Sequence, residues 1–264
     1  MNYCDDILFV GNGGGFLSCD ADAGIFQAFI DYNIVPGKAM ASSGSALFTS
    51  LFYSQGIDFI VDLITNYQPS GFIDILPYQA FKTLYGKSNR MVGNFKIRKL
   101  LEDNMTGEAS KRVKVSVTRL DDWSTHMKSA TPAFTLAATS IPFIFMPVKI
   151  GGQIWGDGGI FNNIPSPSMS ETKNWKHIFV FVAPETEPYN NPTGITGALN
   201  LLNAVFGREL AQMKESGFFD LPNVTLIQPE SAFGGGLFKW SDDLKLKQHS
   251  YELTLSKLKE LDLK

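Results

Sequence analysis

Ile7-Leu8-Phe9-Val10-Gly11-Asn12-Gly13-Gly14-Gly15 is the stretch that decides the fold. Four consecutive apolar residues ended by glycines read as a short buried strand that runs into a tight loop. Behind the loop, residues 21–32 place Ile25, Phe26, Phe29 and Ile30 on one helical face, with Asp20 as the expected N-cap. Strand, glycine loop and helix then recur. Pro36 and Gly37 are read as a break, 38–41 as a short strand and 46–53 as a helix. Residues 113–118 (VKVSVT) alternate cleanly and read as a strand. Two further strands, 144–150 and 153–155, flank the Gly151-Gly152 turn. The run 177–183 (HIFVFVA) is apolar throughout, as a central parallel strand should be. A helix at 199–214, a strand at 224–228 and a helix at 242–261 complete the series. This alternation predicts an α/β fold of three layers, a central, mostly parallel sheet with helices on both faces, formed by residues 1–264 as one domain. Residues 65–90 and 185–196 lack a pattern and are read as long loops.

Composition narrows the function. The chain has 264 residues, 44% hydrophobic and 19% charged, a balance that excludes disorder and coiled coil. No run of eighteen apolar residues occurs, so a spanning helix is not expected. The net charge of −3 argues against a nucleic-acid binder. Two cysteines, Cys4 and Cys19, and a start that carries acids where a signal peptide carries bases point to a reducing, cytoplasmic setting. Bases are nevertheless segregated. Residues 82–119 hold ten of them against three acids, a local +7 in an acidic chain. A solvated helix face explains this. So does a rim for anionic lipid headgroups, with Phe72, Ile73, Ile75, Leu76, Tyr78, Phe81, Leu84 and Tyr85 just upstream as an apolar docking surface. Oligomeric state is left open.

Three segments carry chemistry. Gly13-Gly14-Gly15 lets backbone N–H groups approach a ligand. Phe16 stands where a dinucleotide fingerprint needs its last glycine, and no Gly-Lys-Ser/Thr follows for a phosphate loop. A tight turn and an oxyanion hole both remain. Met40-Ala41-Ser42-Ser43-Gly44-Ser45-Ala46-Leu47 joins a strand to a helix, with small residues two before and two after Ser43, as a nucleophile elbow requires. An ordinary serine N-cap fits the same residues, and Ser45 is a rival nucleophile. Trp155-Gly156-Asp157-Gly158-Gly159 places an acid between glycines after a strand, which a hairpin turn would also do. No Cys/His cluster has metal-ligand spacing, and no cofactor is expected.

Together these segments resemble the patatin-like phospholipase family. Gly13-Gly14-Gly15 is similar to its oxyanion loop, Ser43 with Ala46-Leu47 to its nucleophile elbow, and Asp157-Gly158-Gly159 to its acid motif. The run from Ala137-Ala138-Thr139-Ser140-Ile141-Pro142 to Asn163-Ile164-Pro165 is similar to the family's most characteristic region. The chain departs at Ala41 and Ser45, where the family has glycines, and at Leu17 and Ser18, where it has a base and a glycine. The resemblance implies a lipid acyl hydrolase of phospholipase A type, acting through a Ser43–Asp157 dyad without histidine. His126, His177 and His249 are then structural. The rivals are a general carboxylesterase or lysophospholipase, and a catalytically silent lipid- or partner-binding protein of the same fold.

Overall fold

A computed structural model of the chain describes residues 2–68, 93–142, 144–184, 195–236 and 239–261, with backbone alone at 195–199 and 201. Among these residues, an eight-stranded sheet has the order β5-β6-β3-β2-β1-β7-β8, and β4 also pairs with β3. The strands are β1 (Tyr3–Gly11), β2 (Val35–Ala41), β3 (Val113–Arg119), β4 (Ser124–Ser129), β5 (Val148–Ile150), β6 (Gln153–Asp157), β7 (His177–Phe181) and β8 (Val224–Ile227). β3, β2, β1, β7 and β8 run parallel. β4 and β6 run antiparallel to β3, and β5 antiparallel to β6.

Side-chain alternation splits the core into two layers. Ile7, Phe9, Phe179 and Phe181 face α1 (Phe16–Asp31), α2 (Ser43–Gln55) and the C-terminal helix α8 (Lys245–Leu261). Leu8, Val10, Ile178 and Val180 face Leu210 and Met213 of α7 (Ile195–Glu215). Shorter helices α3 (Ile57–Asn66), α4 (Phe95–Asn104), α5 (Gly107–Arg112) and α6 (Pro132–Ala138) pack around α2 and β3. The first layer is aromatic. Phe26 stacks on Phe52 with ring centres 4.2 Å apart and meets Phe9 edge-on at 5.1 Å.

Several local expectations change. Helix α1 begins at Phe16, because Gly15 takes φ 61° and turns the loop directly into the helix. Asp20 is therefore inside the helix and fully buried, and it accepts hydrogen bonds from the Ser241 N–H and hydroxyl instead of capping. Pro36 and Gly37 lie within β2. The proline is tolerated because β3 joins β2 only from Ala39 onward, so no ladder bond is lost on that side. Of residues 144–147, Ile144 lies in a turn, Phe145 in an isolated bridge and the other two in irregular chain, and the strand expected there begins at Val148. At the start of the glycine run, a turn at 233–234 is closed by the Gly235 N–H, which donates to the Ala232 carbonyl at 2.9 Å.

The basic stretch is partly neutralised. Arg98 pairs with Glu102, Lys99 with Asp103, Lys111 with Glu108, Arg112 with Glu108 and Asp5, and Arg119 with Asp122. Asp5 and Asp122 come from outside the stretch, so the charge counted along the sequence overstates the local field. The apolar residues from Phe72 to Tyr85, with Lys82, Lys87 and Arg90, lie outside the described residues.

Close packing of α1 on α8 rests on Gly24, where a Cβ would collide with the Lys247 carbonyl oxygen. Gly24→Ala is expected to destabilise the fold by about 1–3 kcal/mol, the usual cost of overpacking. A urea midpoint equal to wild type would contradict this contact.

Candidate active site

The site forms where the sheet changes direction. β2 ends at Ala41, level with Val115 of β3. β3 continues past that point and pairs Val117 with Asp157 of β6. The last residue of β6 thus reaches the turn that follows β2. There Ser42 is the extended N-cap of α2, and Ser43 has φ 50°. A serine in this left-handed region is strained, and such strain is kept when surrounding packing enforces it. Ser43 is 7% exposed, whereas Ser45 is fully buried.

Close backbone approach builds the turn. A Cβ on Gly44 would strike the Gly15 carbonyl oxygen, so the glycine loop and the start of α2 touch directly. A Cβ on Gly13 would lie 2.8 Å from Ser43 Cβ. The Ser45 side chain, bulkier than the glycine of the resembled elbow, sits against Gly11, where there is no Cβ to meet it.

The glycine loop offers fewer donors than its sequence suggests. Gly13 N–H donates to the Asn163 carbonyl at 3.2 Å, so it is not free to hold an oxyanion. Among the described residues, no partner is present for the N–H groups of Gly14 and Gly15. They are the donors that remain beside Ser43.

Asp157 is 2% exposed. Its Oδ1 accepts from the Gly159 N–H at 2.7 Å, and its backbone N–H donates to Ser140 O at 2.9 Å. Burial pushes its carboxyl up to about 7 from an ordinary 3.8, while the Gly159 N–H and the Ser43 hydroxyl pull it part of the way back. Ser43 exerts that pull as a neighbour, short of a well-aligned hydrogen bond, so Oδ2 remains unsatisfied. Among the described residues no cation faces the carboxyl, and the group is divided between its two protonation states near neutrality.

Beside Ser43, a shallow pocket of about 40 Å³, open to solvent, is lined by Gly15, Phe16, Cys19, Leu47, Ile97 and Ile141, among others. The lining is apolar. Burial pushes the Cys19 thiol up, and it donates weakly to the Gly44 carbonyl.

The structure thus brings Ser43, Asp157 and Gly13-Gly14-Gly15 together. The histidines are engaged elsewhere: His126 with Ser124 Oγ at 2.8 Å, His177 with Thr225 Oγ1 at 2.8 Å, and His249 against the Phe233 ring. Two residues with no assigned role join the site. Asn163, 1% exposed, donates through Nδ2 to the Gly13 carbonyl at 3.2 Å. Glu209 of α7 accepts from the backbone N–H groups of Asn163 and Ile164. Asn163 belongs to the Asn-Ile-Pro run visible in the sequence. Glu209 has no motif around it. No group of three or more His, Cys, Asp or Glu side chains that could hold a metal occurs among the described residues.

No family model matches the sequence, and no curated protein matches it. Among solved structures, the chain is similar to the crystal structure of VipD from Legionella pneumophila, with a TM-score of 0.54 and 11% sequence identity. The match covers 97% of this chain and 66% of that one, so the chain spans about two thirds of VipD's length. At this identity the similarity establishes the three-layer α/β fold and leaves the chemistry to the site itself.

The raised carboxyl has a sign that can be tested. The native state holds the Asp157 proton up to about pH 7, while an unfolded chain releases it near 3.8. The contribution of Asp157 to stability is therefore fully present below about pH 4, falls as pH rises to about 7, and is then constant. Asp157→Asn, which carries no charge, is expected to gain on wild type across that window. Three pH units correspond to a ceiling of about 4 kcal/mol. A difference in unfolding free energy that does not change between pH 4 and 8 would contradict the buried, raised carboxyl.

Proposed function

We propose that the chain is a serine-dependent acyl hydrolase acting on lipid esters, with Ser43 as nucleophile and Asp157 as its base. The observation that carries the reading is the strained Ser43 beside a buried carboxyl pushed up to about 7. A base of that pKa matches neutral pH far better than an ordinary aspartate. Resemblance of the three segments to the patatin-like family supports it, and the three-layer fold shared with VipD is compatible with it.

In the proposed reaction, Ser43 Oγ attacks the ester carbonyl and its proton passes to Asp157. The carbonyl oxygen becomes an oxyanion held by the N–H groups of Gly14 and Gly15. Asp157 returns the proton to the departing alcohol, leaving an acyl-serine. Water then loses a proton to Asp157 and attacks the acyl carbonyl, and the proton goes back to Ser43 as the fatty acid leaves. The small, open, apolar pocket beside Ser43 offers contact to the carbons next to the ester carbonyl, not room for a whole acyl chain. Among the described residues no helix is long and apolar enough to cross a membrane, and substrate access by peripheral contact with anionic lipid is part of the proposal.

Fluorophosphonate treatment followed by peptide mass spectrometry is expected to label Ser43. Ser43→Ala and Asp157→Asn are each expected to lower turnover of a soluble ester by about a thousandfold or more, and the double variant by no more than either alone. Turnover by wild type should rise with pH through about 7 and then level, because Asp157 must be ionised to act. A label on Ser45, or full activity in Asp157→Asn, would sink the assignment. A stable wild-type protein that neither reacts with the probe nor hydrolyses a mixed lipid extract would favour the silent binding protein.

A further inference from the structure

We infer that Glu209 and Asn163 form a positioning relay that sets where the glycine loop presents its N–H donors to Ser43. The inference rests on the acyl-hydrolase reading for its catalytic consequence, and on hydrogen bonds alone for its structural part.

The relay begins on α7, more than 150 residues from the loop in sequence. The Glu209 carboxylate accepts two backbone N–H groups, Asn163 through Oε2 at 2.9 Å and Ile164 through Oε1 at 3.1 Å. Two bonds to successive amides fix both the place and the tilt of that backbone. Asn163 then grips the loop in two directions. Its carbonyl accepts the Gly13 N–H, and its Nδ2 donates to the Gly13 carbonyl, each at 3.2 Å. The side-chain amide is oriented by that second bond, since the reversed rotamer would set oxygen against oxygen. Gly13 is held by both of its polar groups, and the next two residues carry the unpartnered N–H groups.

The geometry leaves little slack. A Cβ on Gly13 would collide with Asn163 Oδ1, and one on Gly159 would lie 2.9 Å from that same oxygen and 3.1 Å from Asp157 Oδ1. Asn163 is thus wedged between the glycine loop and the turn that carries the acid. A shift of the 163–164 backbone moves the donors relative to Ser43 and Asp157. Helix α7 also packs on the 158–160 turn, so both sides of the site are referenced to one helix. Burial raises the Glu209 carboxyl, and the two amides offset part of that effect, as expected for an acid retained to bind backbone.

Neither residue touches the reacting atoms, so the expected signature is a loss in kcat with KM preserved. Glu209→Ala and Asn163→Ala should lower kcat for a soluble nitrophenyl ester about 10- to 100-fold, less than deletion of a whole oxyanion donor, with KM within about twofold. Glu209→Gln keeps one acceptor oxygen and should recover part of the loss. Its fluorophosphonate labelling rate should fall between wild type and Glu209→Ala. Hydrogen exchange read by mass spectrometry supplies an arm independent of activity. The peptide containing residues 11–17 should exchange at least about tenfold faster in both alanine variants, while β7 keeps wild-type protection. Folded Glu209→Ala or Glu209→Gln protein with wild-type kcat and wild-type exchange at 11–17 would overturn the relay. A wild-type protein that is inert to ester and probe, yet loses loop protection in these variants, would retain the relay and overturn the hydrolase reading.

Discussion

A carboxylate removed from water without a cation beside it must find hydrogen-bond donors or keep its proton. Asp157 meets that constraint halfway, with one oxygen bonded to the Gly159 N–H and the other left to the Ser43 hydroxyl. The surrounding architecture follows from holding it there. β3 has to outrun β2 so that β6 can bring Asp157 level with the turn at Ser43. Gly158 has to lie flat on Ser116 of β3, where a side chain would collide. The sheet accordingly changes from parallel to antiparallel at β3, and the site occupies that change.

Most of this was legible where burial is one-sided or complete. VKVSVT alternates in chemistry although both faces of β3 are buried from Val115 to Thr118, and HIFVFVA is continuous because β7 is covered on both. Other elements give a poorer signal for physical reasons. β4 (STHMKS) is a half-exposed edge, so its faces do not differ. Helix α1 is buried nearly all round, so its first turn shows no polar stripe and the periodic pattern is readable only from residue 21. Asp20 looked like a cap because a polar residue preceded a periodic run, whereas it anchors the segment at Ser241 instead. Pro36 looked like a break because its neighbours in space were invisible in sequence.

At the site, spacing alone could not separate Ser43 from Ser45. Backbone conformation does: Ser43 takes positive φ and lines the pocket, while Ser45 is sealed against Gly11. Spacing also cannot show that a backbone amide is already used, which is why Gly13 read as a donor although its N–H belongs to Asn163. Glu209 was illegible altogether, because a lone acid on an amphipathic helix is the commonest surface pattern there is. Its role exists only through two amides brought to it by the fold.

Strain at Ser43 and an unsatisfied oxygen at Asp157 both cost folding energy, and neither is required by the packing of a three-layer sheet. Their coincidence in one place is the physical reason to read the place as a site. The most direct test is a titration of the Asp157 carboxyl itself, taken as the difference between carbon-13 spectra of wild type and Asp157→Asn across pH 3 to 9. An apparent pKa of about 7 is expected for the buried carboxyl. A value near the ordinary 3.8 would show a carboxylate that is already satisfied, and would contradict the proposed base.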